Sequence, residues 1–140
     1  KEGKSVAFLT LGDPAIYSTY IYVHKKVQQN GFPVEMVPGV PSFCAVAAKL
    51  NVSLAEAAQP LHIIPASYQG VEEGLEWSGP KILMKTGRSM KKVKELLDEK
   101  GLMDKAKMVQ KCGMEGEEIY QSMRDVDENS SYFSVIVVKE

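Results

Sequence analysis

The sequence predicts an α/β chain of two lobes, the first carrying parallel strands and the second a mixed sheet. Three observations point there. The continuous apolar run VAFLTL has the character of a strand buried on both faces. In the first part such runs alternate with helix-like segments, the pattern of a parallel unit. In the second part strands outnumber helices and polar turns join them.

Each element has its own signal. Val6 to Leu11 is the first strand, apolar apart from one threonine. Asp13-Pro14 then reads as a helix start, because aspartate caps well and proline at the first helical position loses no needed N–H. That helix runs to Asn30-Gly31, with Ile16, Tyr20, Val23 and Val27 at helical spacing. Pro33 to Val37 is a second short strand, broken by Pro38-Gly39. Pro41 and Ser42 open a helix, SFCAVAAKL, whose small residues suit close packing on a sheet. Ser53 to Glu56 fits a capping box for a short helix. A boundary near Gln59-Pro60 divides the chain into lobes 1–59 and 60–140.

In the second lobe, Leu61 to Pro65 is a strand and Gly70 to Trp77 a short helix. Lys81 to Gly87, KILMKTG, is a strand. Ser89 caps a helix with Met90, Val93, Leu96 and Leu97 on one face, stopped by Gly101. Lys107 to Lys111 is a strand. Glu118 to Met123 and Tyr132 to Lys139 read as a closing antiparallel meander, with Asp127 to Ser131 as its turn.

Composition narrows the function. The 140 residues carry a net charge of −1, so the charge balance points to neither nucleic acid nor a membrane surface as a partner. No apolar run has the length of a bilayer span. Cys44 and Cys112 form neither a disulfide framework nor a metal motif, so a reducing cytoplasm is expected. With His24 and His62 they lack metal-ligand spacing, and no protein metal site is expected. The chain opens on KEGKSV without methionine and reads as a piece of a longer protein.

Two apolar strands end in glycine-containing turns that lead into helices: LTLGDP and MVPGVPS. In open α/β sheets ligands bind beyond the carboxyl ends of such strands. Neither a G-x-G-x-x-G nor a P-loop pattern is present, and an aspartate at the turn repels phosphate. It suits a cation or a ribose hydroxyl instead. S-adenosylmethionine carries a sulfonium, an ammonium group and a ribose.

These motifs resemble those of the tetrapyrrole methyltransferases, the S-adenosylmethionine enzymes of cobalamin and sirohaem synthesis. LTLGDPAIYS is similar to that family's GDP motif and VPGVPSF to its second cofactor motif. KILMKTG and VQKCGMEGEE are similar to the second-lobe segments that close over the adenosine, and YFSVIVVKE to the last strand. Within the family, GDPAIYSTY, PGVPSF and PLHIIPASY are most similar to the branch methylating C20 of precorrin-2 or its cobalt complex.

The resemblance implies a tetrapyrrole-methylase-like fold with the cofactor in the cleft between lobes. It implies cofactor contacts at Gly12, Asp13, Ile16, Tyr17, Ser18, Pro41, Ser42, Phe43, Thr86, Cys112 and Gly113, with Met84 a neighbour. It implies a tetrapyrrole substrate, S-adenosylhomocysteine as product, and a homodimer. It also implies that the family's first strand and glycine-proline loop lie outside this chain, leaving a non-catalytic fragment as the alternative. Sibling methylases acting on another corrin position, diphthine or ribosomal RNA are the other alternative. A methyl transfer to ring carbon needs no protein nucleophile, so no catalytic residue is named.

Other residues have plainer readings. Asp13 fits a simple helix cap. His24 fits a surface position, His62 a packed strand position, and Cys44 and Cys112 small apolar packing. Tyr17 and Tyr20 share a helical face, which suits packing. Lys91, Lys92 and Lys94 read as a solvated face. Of the two arginines, Arg88 is the better candidate for a substrate carboxylate and Arg124 the poorer.

Overall fold

The computed structural model describes residues 3–139. It divides into two compact units, one ending at Ser42 and one beginning at Phe43. The division at Gln59-Pro60 read from sequence is a different one.

The second unit is built on a five-stranded mixed sheet. Its strands are β1 (His62–Pro65), β2 (Lys81–Met84), β3 (Ala106–Gln110), β4 (Glu118–Tyr120) and β5 (Ser134–Val138). Their spatial order is β1-β2-β5-β3-β4. β1 and β2 are parallel, and β5 is antiparallel to both β2 and β3. β4 pairs with β3, not with β5, so the expected closing meander is absent. The last strand instead inserts at the centre, where SVIVV is buried at every position.

Helices α2 (Ser42–Leu50), α3 (Val71–Gly74) and α4 (Met90–Glu99) cover this sheet. The alternation of strand side chains sorts the core into two clusters. Val135 and Val137 join Ile82 and Val109 against Phe43, Val46 and Leu50 of α2. Ile136 and Val138 join Leu83 and Met108 against Val71 of α3 and Met90, Val93 and Leu97 of α4. Each fully buried side chain of this kind contributes about 1.5–3 kcal/mol. The apolar face read for α4 is the buried one. Ser89 stands at its N-cap, but its hydroxyl makes no capping bond. Gly101, at φ +65°, lies just past its end.

Several readings are corrected. No helix follows Ser53: its Oγ donates to Ala55 O at 2.8 Å, and the Glu56 carboxylate turns to Lys139 Nζ at 3.2 Å. The capping-box partners are thus engaged elsewhere. The helix read from Gly70 to Trp77 shortens to α3. Lys94 is not merely solvated, since its ammonium donates to Val126 O. Cys44 is exposed instead of packed.

The first unit departs further from the sequence reading. Its one helix, α1 (Tyr20–Gln29), starts well after Asp13. A turn closes at Asp13, with Ile16 N donating to Asp13 O at 3.2 Å, but Tyr17 at φ +53° breaks its propagation. Tyr17 therefore does not share a helical face with Tyr20, whose ring packs on Phe8 at 5.3 Å and whose hydroxyl lies 3.3 Å from His24 Nδ1. Neither Val6–Leu11 nor Pro33–Val37 forms a strand. Val6 is 92% exposed and Leu9 91%. No described residue up to Ser42 is buried. A ladder needs a second backbone edge, and no described segment offers one to these runs. Among the described residues no helix is long and apolar enough to cross a membrane.

Candidate functional site

The predicted site residues fall into two sets, one in each unit. In the first unit, the turns at Gly12-Asp13-Pro14 and Pro38-Gly39-Val40 interlock. One carboxylate oxygen of Asp13 accepts from Ala15 N at 2.8 Å. The other accepts from Gly39 N at 2.9 Å, across 26 positions of sequence. Asp13 is therefore more than a local cap.

Both glycines are required by this arrangement, for different reasons. Gly12 has φ +80°, which L side chains rarely adopt. A Cβ on Gly39 would stand 2.2 Å from Gly12 O, far inside contact distance. The two main chains approach without a side chain between them, and both glycines are exposed. Pro41 and Ser42 follow directly and lead into α2. Ile16 and Tyr17 are exposed at 36% and 45%, and Ser18 Oγ accepts from Tyr20 N at 3.2 Å at the start of α1.

In the second unit, sheet topology gathers the remaining set. β2 and β3 both run antiparallel to β5, so their carboxyl ends lie at the same end of the sheet, on either side of β5. Met84 and Val109 flank Val135 in register. The segment after β2 carries Thr86 and the segment after β3 carries Cys112 and Gly113. Phe43, Met84 and Cys112 pack in one apolar cluster. Thr86 is fully buried and its Oγ1 has no hydrogen-bond partner among the described residues. Arg88 is exposed in the short helical turn that follows.

The segment after β3 is pinned by a group that the sequence reading missed. Glu117 Oε2 accepts from Gly113 N at 2.6 Å, and its other oxygen lies 2.9 Å from Lys49 Nζ of α2. The Gly113 N–H, then Lys49, hold the Glu117 carboxyl below its ordinary range. Glu117 in turn raises the Lys49 ammonium. Burial, then the Glu117 charge, pushes the Cys112 thiol up. A carboxyl with a depressed folded pKa stabilises above its unfolded pKa of about 4.3, and that contribution is lost as pH falls through the folded value. The Gly113 amide resonance should therefore shift with an acid midpoint below that of a free glutamate. In Glu117→Gln the titration should vanish, as followed by proton–nitrogen correlation spectra.

Glycine spacing signalled the two first-unit turns, but nothing in it pairs Asp13 with Gly39. Likewise nothing local marks Glu117 or Lys49, whose roles depend on α2 packing over the sheet. Left-handed backbone at Tyr17, Lys85 and Lys111 also escapes a sequence pattern. Each stands beside predicted site residues, whereas Asn51 and Ala57, also at positive φ, do not. An open cleft of about 430 Å³ lies elsewhere in the second unit, lined by Gln110, Lys111, Glu118, Tyr120 and Asp127 among others. Its Glu118 carboxylate already accepts from Gln110 Nε2 at 2.5 Å and from the Tyr120 hydroxyl.

Comparison with known proteins bears on these turns. The chain is 34% identical over 99% of its length to a cobalt-precorrin-2 C(20)-methyltransferase of Salmonella typhimurium. It is 32% identical over 99% of its length to a probable cobalt-precorrin-2 C(20)-methyltransferase of Methanocaldococcus jannaschii. It spans 60% of the length of each relative. Among solved structures, a cobalt precorrin-4 methyltransferase aligns with TM-score 0.72 at 19% identity, covering 91% of this chain and 60% of that one. A uroporphyrin-III C-methyl transferase from Thermus thermophilus, complexed with S-adenyl homocysteine, aligns with TM-score 0.65 at 18% identity, covering 91% and 63%. The family model for tetrapyrrole (corrin/porphyrin) methylases matches residues 1–126. The chain belongs to the tetrapyrrole (corrin/porphyrin) methylase family.

Proposed function

We propose that this chain serves the S-adenosylmethionine-dependent C-methylation of a tetrapyrrole, at C20 of precorrin-2 or its cobalt complex, in cobalamin biosynthesis. Family membership and the named activities of its relatives support the reading. The observation that carries it is the interlocked pair of glycine turns. Gly12, at φ +80°, and Gly39, whose added Cβ would stand 2.2 Å from Gly12 O, let two exposed main-chain turns meet.

Gly12, Asp13, Ile16, Tyr17, Ser18, Pro41 and Ser42 are the proposed cofactor contacts of the first unit. Phe43, Thr86, Cys112 and Gly113 are those of the second, with Arg88 proposed for a substrate carboxylate. Lobes 1–59 and 60–140 remain the proposed domain division. The bound cofactor supplies a methyl group on a positive sulfur, open to in-line attack by an electron-rich ring carbon. This chain's residues hold and orient the reactants and exclude water. A homodimer and a cytoplasmic location belong to the same reading. Membership of the family supports the first, and the two free cysteines support the second.

The test is calorimetric titration of the chain with S-adenosylhomocysteine. Saturable one-site binding is expected. A chain that is folded by circular dichroism yet takes up no ligand overturns the cofactor reading for these residues.

A further inference from the structure

Cys112 and Gly113 lie in a loop that no packed core holds. Its residues Lys111, Gly113 and Gly116 have left-handed backbone, with φ of +50°, +72° and +78°. Two tight turns fold it, Met114 N donating to Lys111 O at 2.8 Å and Glu117 N to Met114 O at 3.2 Å. None of residues 111–117 is buried. The start of the loop is tied to the sheet, where Lys111 N donates to Phe133 O at 2.7 Å. Its far end is tied by a side chain, that of Glu117. We propose that Glu117 is a positioning residue, which presets the Cys112-Gly113 backbone for the cofactor. The inference rests on the cofactor reading of this loop.

Both Glu117 carboxylate oxygens have partners. Oε2 accepts from Gly113 N at 2.6 Å, and Oε1 lies 2.9 Å from Lys49 Nζ. Lys49 stands in the last turn of α2 and Phe43 in the first, and Phe43 shares an apolar cluster with Cys112. The loop is thus referenced to both ends of α2. The two links of Glu117 differ in weight. The Lys49 side chain is 42% exposed, and an ion pair so open to water contributes little by itself. The bond from Gly113 is charge-assisted and fixes the direction of the N–H. Gly113 therefore carries the positioning, and Lys49 keeps the carboxylate turned toward the loop. The adjacent Glu118 takes no part, because its carboxylate accepts from Gln110 Nε2 and the Tyr120 hydroxyl. A loop set before the ligand arrives spares binding the cost of ordering it.

Three variants separate the alternatives. Glu117→Ala removes both links, Glu117→Gln keeps an acceptor for Gly113 N and gives up the charge, and Lys49→Met removes the ion pair alone. Calorimetric titration with S-adenosylhomocysteine should show a loss of about tenfold in Glu117→Ala, as for one charge-assisted hydrogen bond. Glu117→Gln should restore the affinity to within about threefold of the wild-type chain, and Lys49→Met should lose no more than that. Affinity as weak in Glu117→Gln or Lys49→Met as in Glu117→Ala overturns the proposal, because the charge and not the Gly113 bond would then be what binding needs. Unchanged affinity in Glu117→Ala overturns it as well.

Hydrogen exchange without ligand keeps this test apart from the cofactor reading. The Gly113 amide should lose protection in Glu117→Ala and regain it in Glu117→Gln, while amides of β5 keep theirs in both. Retained protection at Gly113 in Glu117→Ala sinks the proposal whether or not the wild-type chain binds the ligand. Protection lost across β5 as well would mark a general structural role and sink it too. Where Gly113 behaves as expected and the wild-type chain takes up no ligand, the hold on the loop stands and the cofactor reading alone falls.

Discussion

Gly39→Ala should weaken S-adenosylhomocysteine binding by about a hundredfold. The added methyl would stand 2.2 Å from Gly12 O and 3.1 Å from Gly12 C. Its neighbours are backbone atoms, which cannot swing aside as a flexible side chain can. Overpacking of this kind costs about 1–3 kcal/mol, and the unyielding contact places this case at the upper end. About 3 kcal/mol is two decades in a dissociation constant. The turns must separate, so Gly39 N also leaves Asp13. Calorimetric titration of the variant, with the Ala15 and residue-39 amide resonances recorded beside it, checks both parts. Wild-type affinity in Gly39→Ala would mean that the close approach of the turns plays no part in binding.

Ile136→Ala should destabilise the sheet unit by about 2–5 kcal/mol, the usual range for such a truncation in a filled core. Ile136 is fully buried on the central strand, opposite Leu83 on one side and Met108 on the other. Its removal leaves a hole where strands on both sides are already paired and cannot close in. Domains are commonly stable by only about 5–15 kcal/mol, so the loss is a large share. Trp77 reports on it, since its ring packs 5.1 Å from His62 of β1. The urea midpoint should fall with the slope m unchanged. A loss under about 1 kcal/mol would show that the core relaxes around the site.

Val6–Leu11 and Ser134–Val138 show what sequence can and cannot carry. Both are short apolar runs, the first read as a strand buried on two faces and the second as a strand of a closing meander. Ser134–Val138 becomes the most enclosed strand of the sheet, because β2 and β3 offer edges and α2 and α4 cover the faces. Val6–Leu11 has no such neighbours among the described residues, and Val6, Leu9 and Leu11 stand in the open. Composition states a demand for burial, but only the rest of the fold can meet it. Helix α4 was legible because its period of apolar residues and its glycine stop are local signals. The meander was misread because strand order is set by which edges meet, and chain order is silent on that.

The site follows the same division. The two glycine turns were visible as motifs. Their interlock was not, because Asp13 and Gly39 lie 26 positions apart and meet through a main-chain N–H. Thr86, Cys112 and Gly113 were named one by one through resemblance, and only the sheet register brings the segments that carry them to one end of the sheet. Glu117 carries no local signal of its own, yet it accepts a hydrogen bond from Gly113 N.

The central position of β5 has a consequence for how the chain emerges during synthesis. Four of the five strands leave the ribosome before the strand that joins them. Until then the β1–β2 pair and the β3–β4 pair are separate ribbons, each with an open apolar edge where β5 will sit. Open edges of this kind invite wrong partners. The five strands therefore become one sheet only once β5 has emerged.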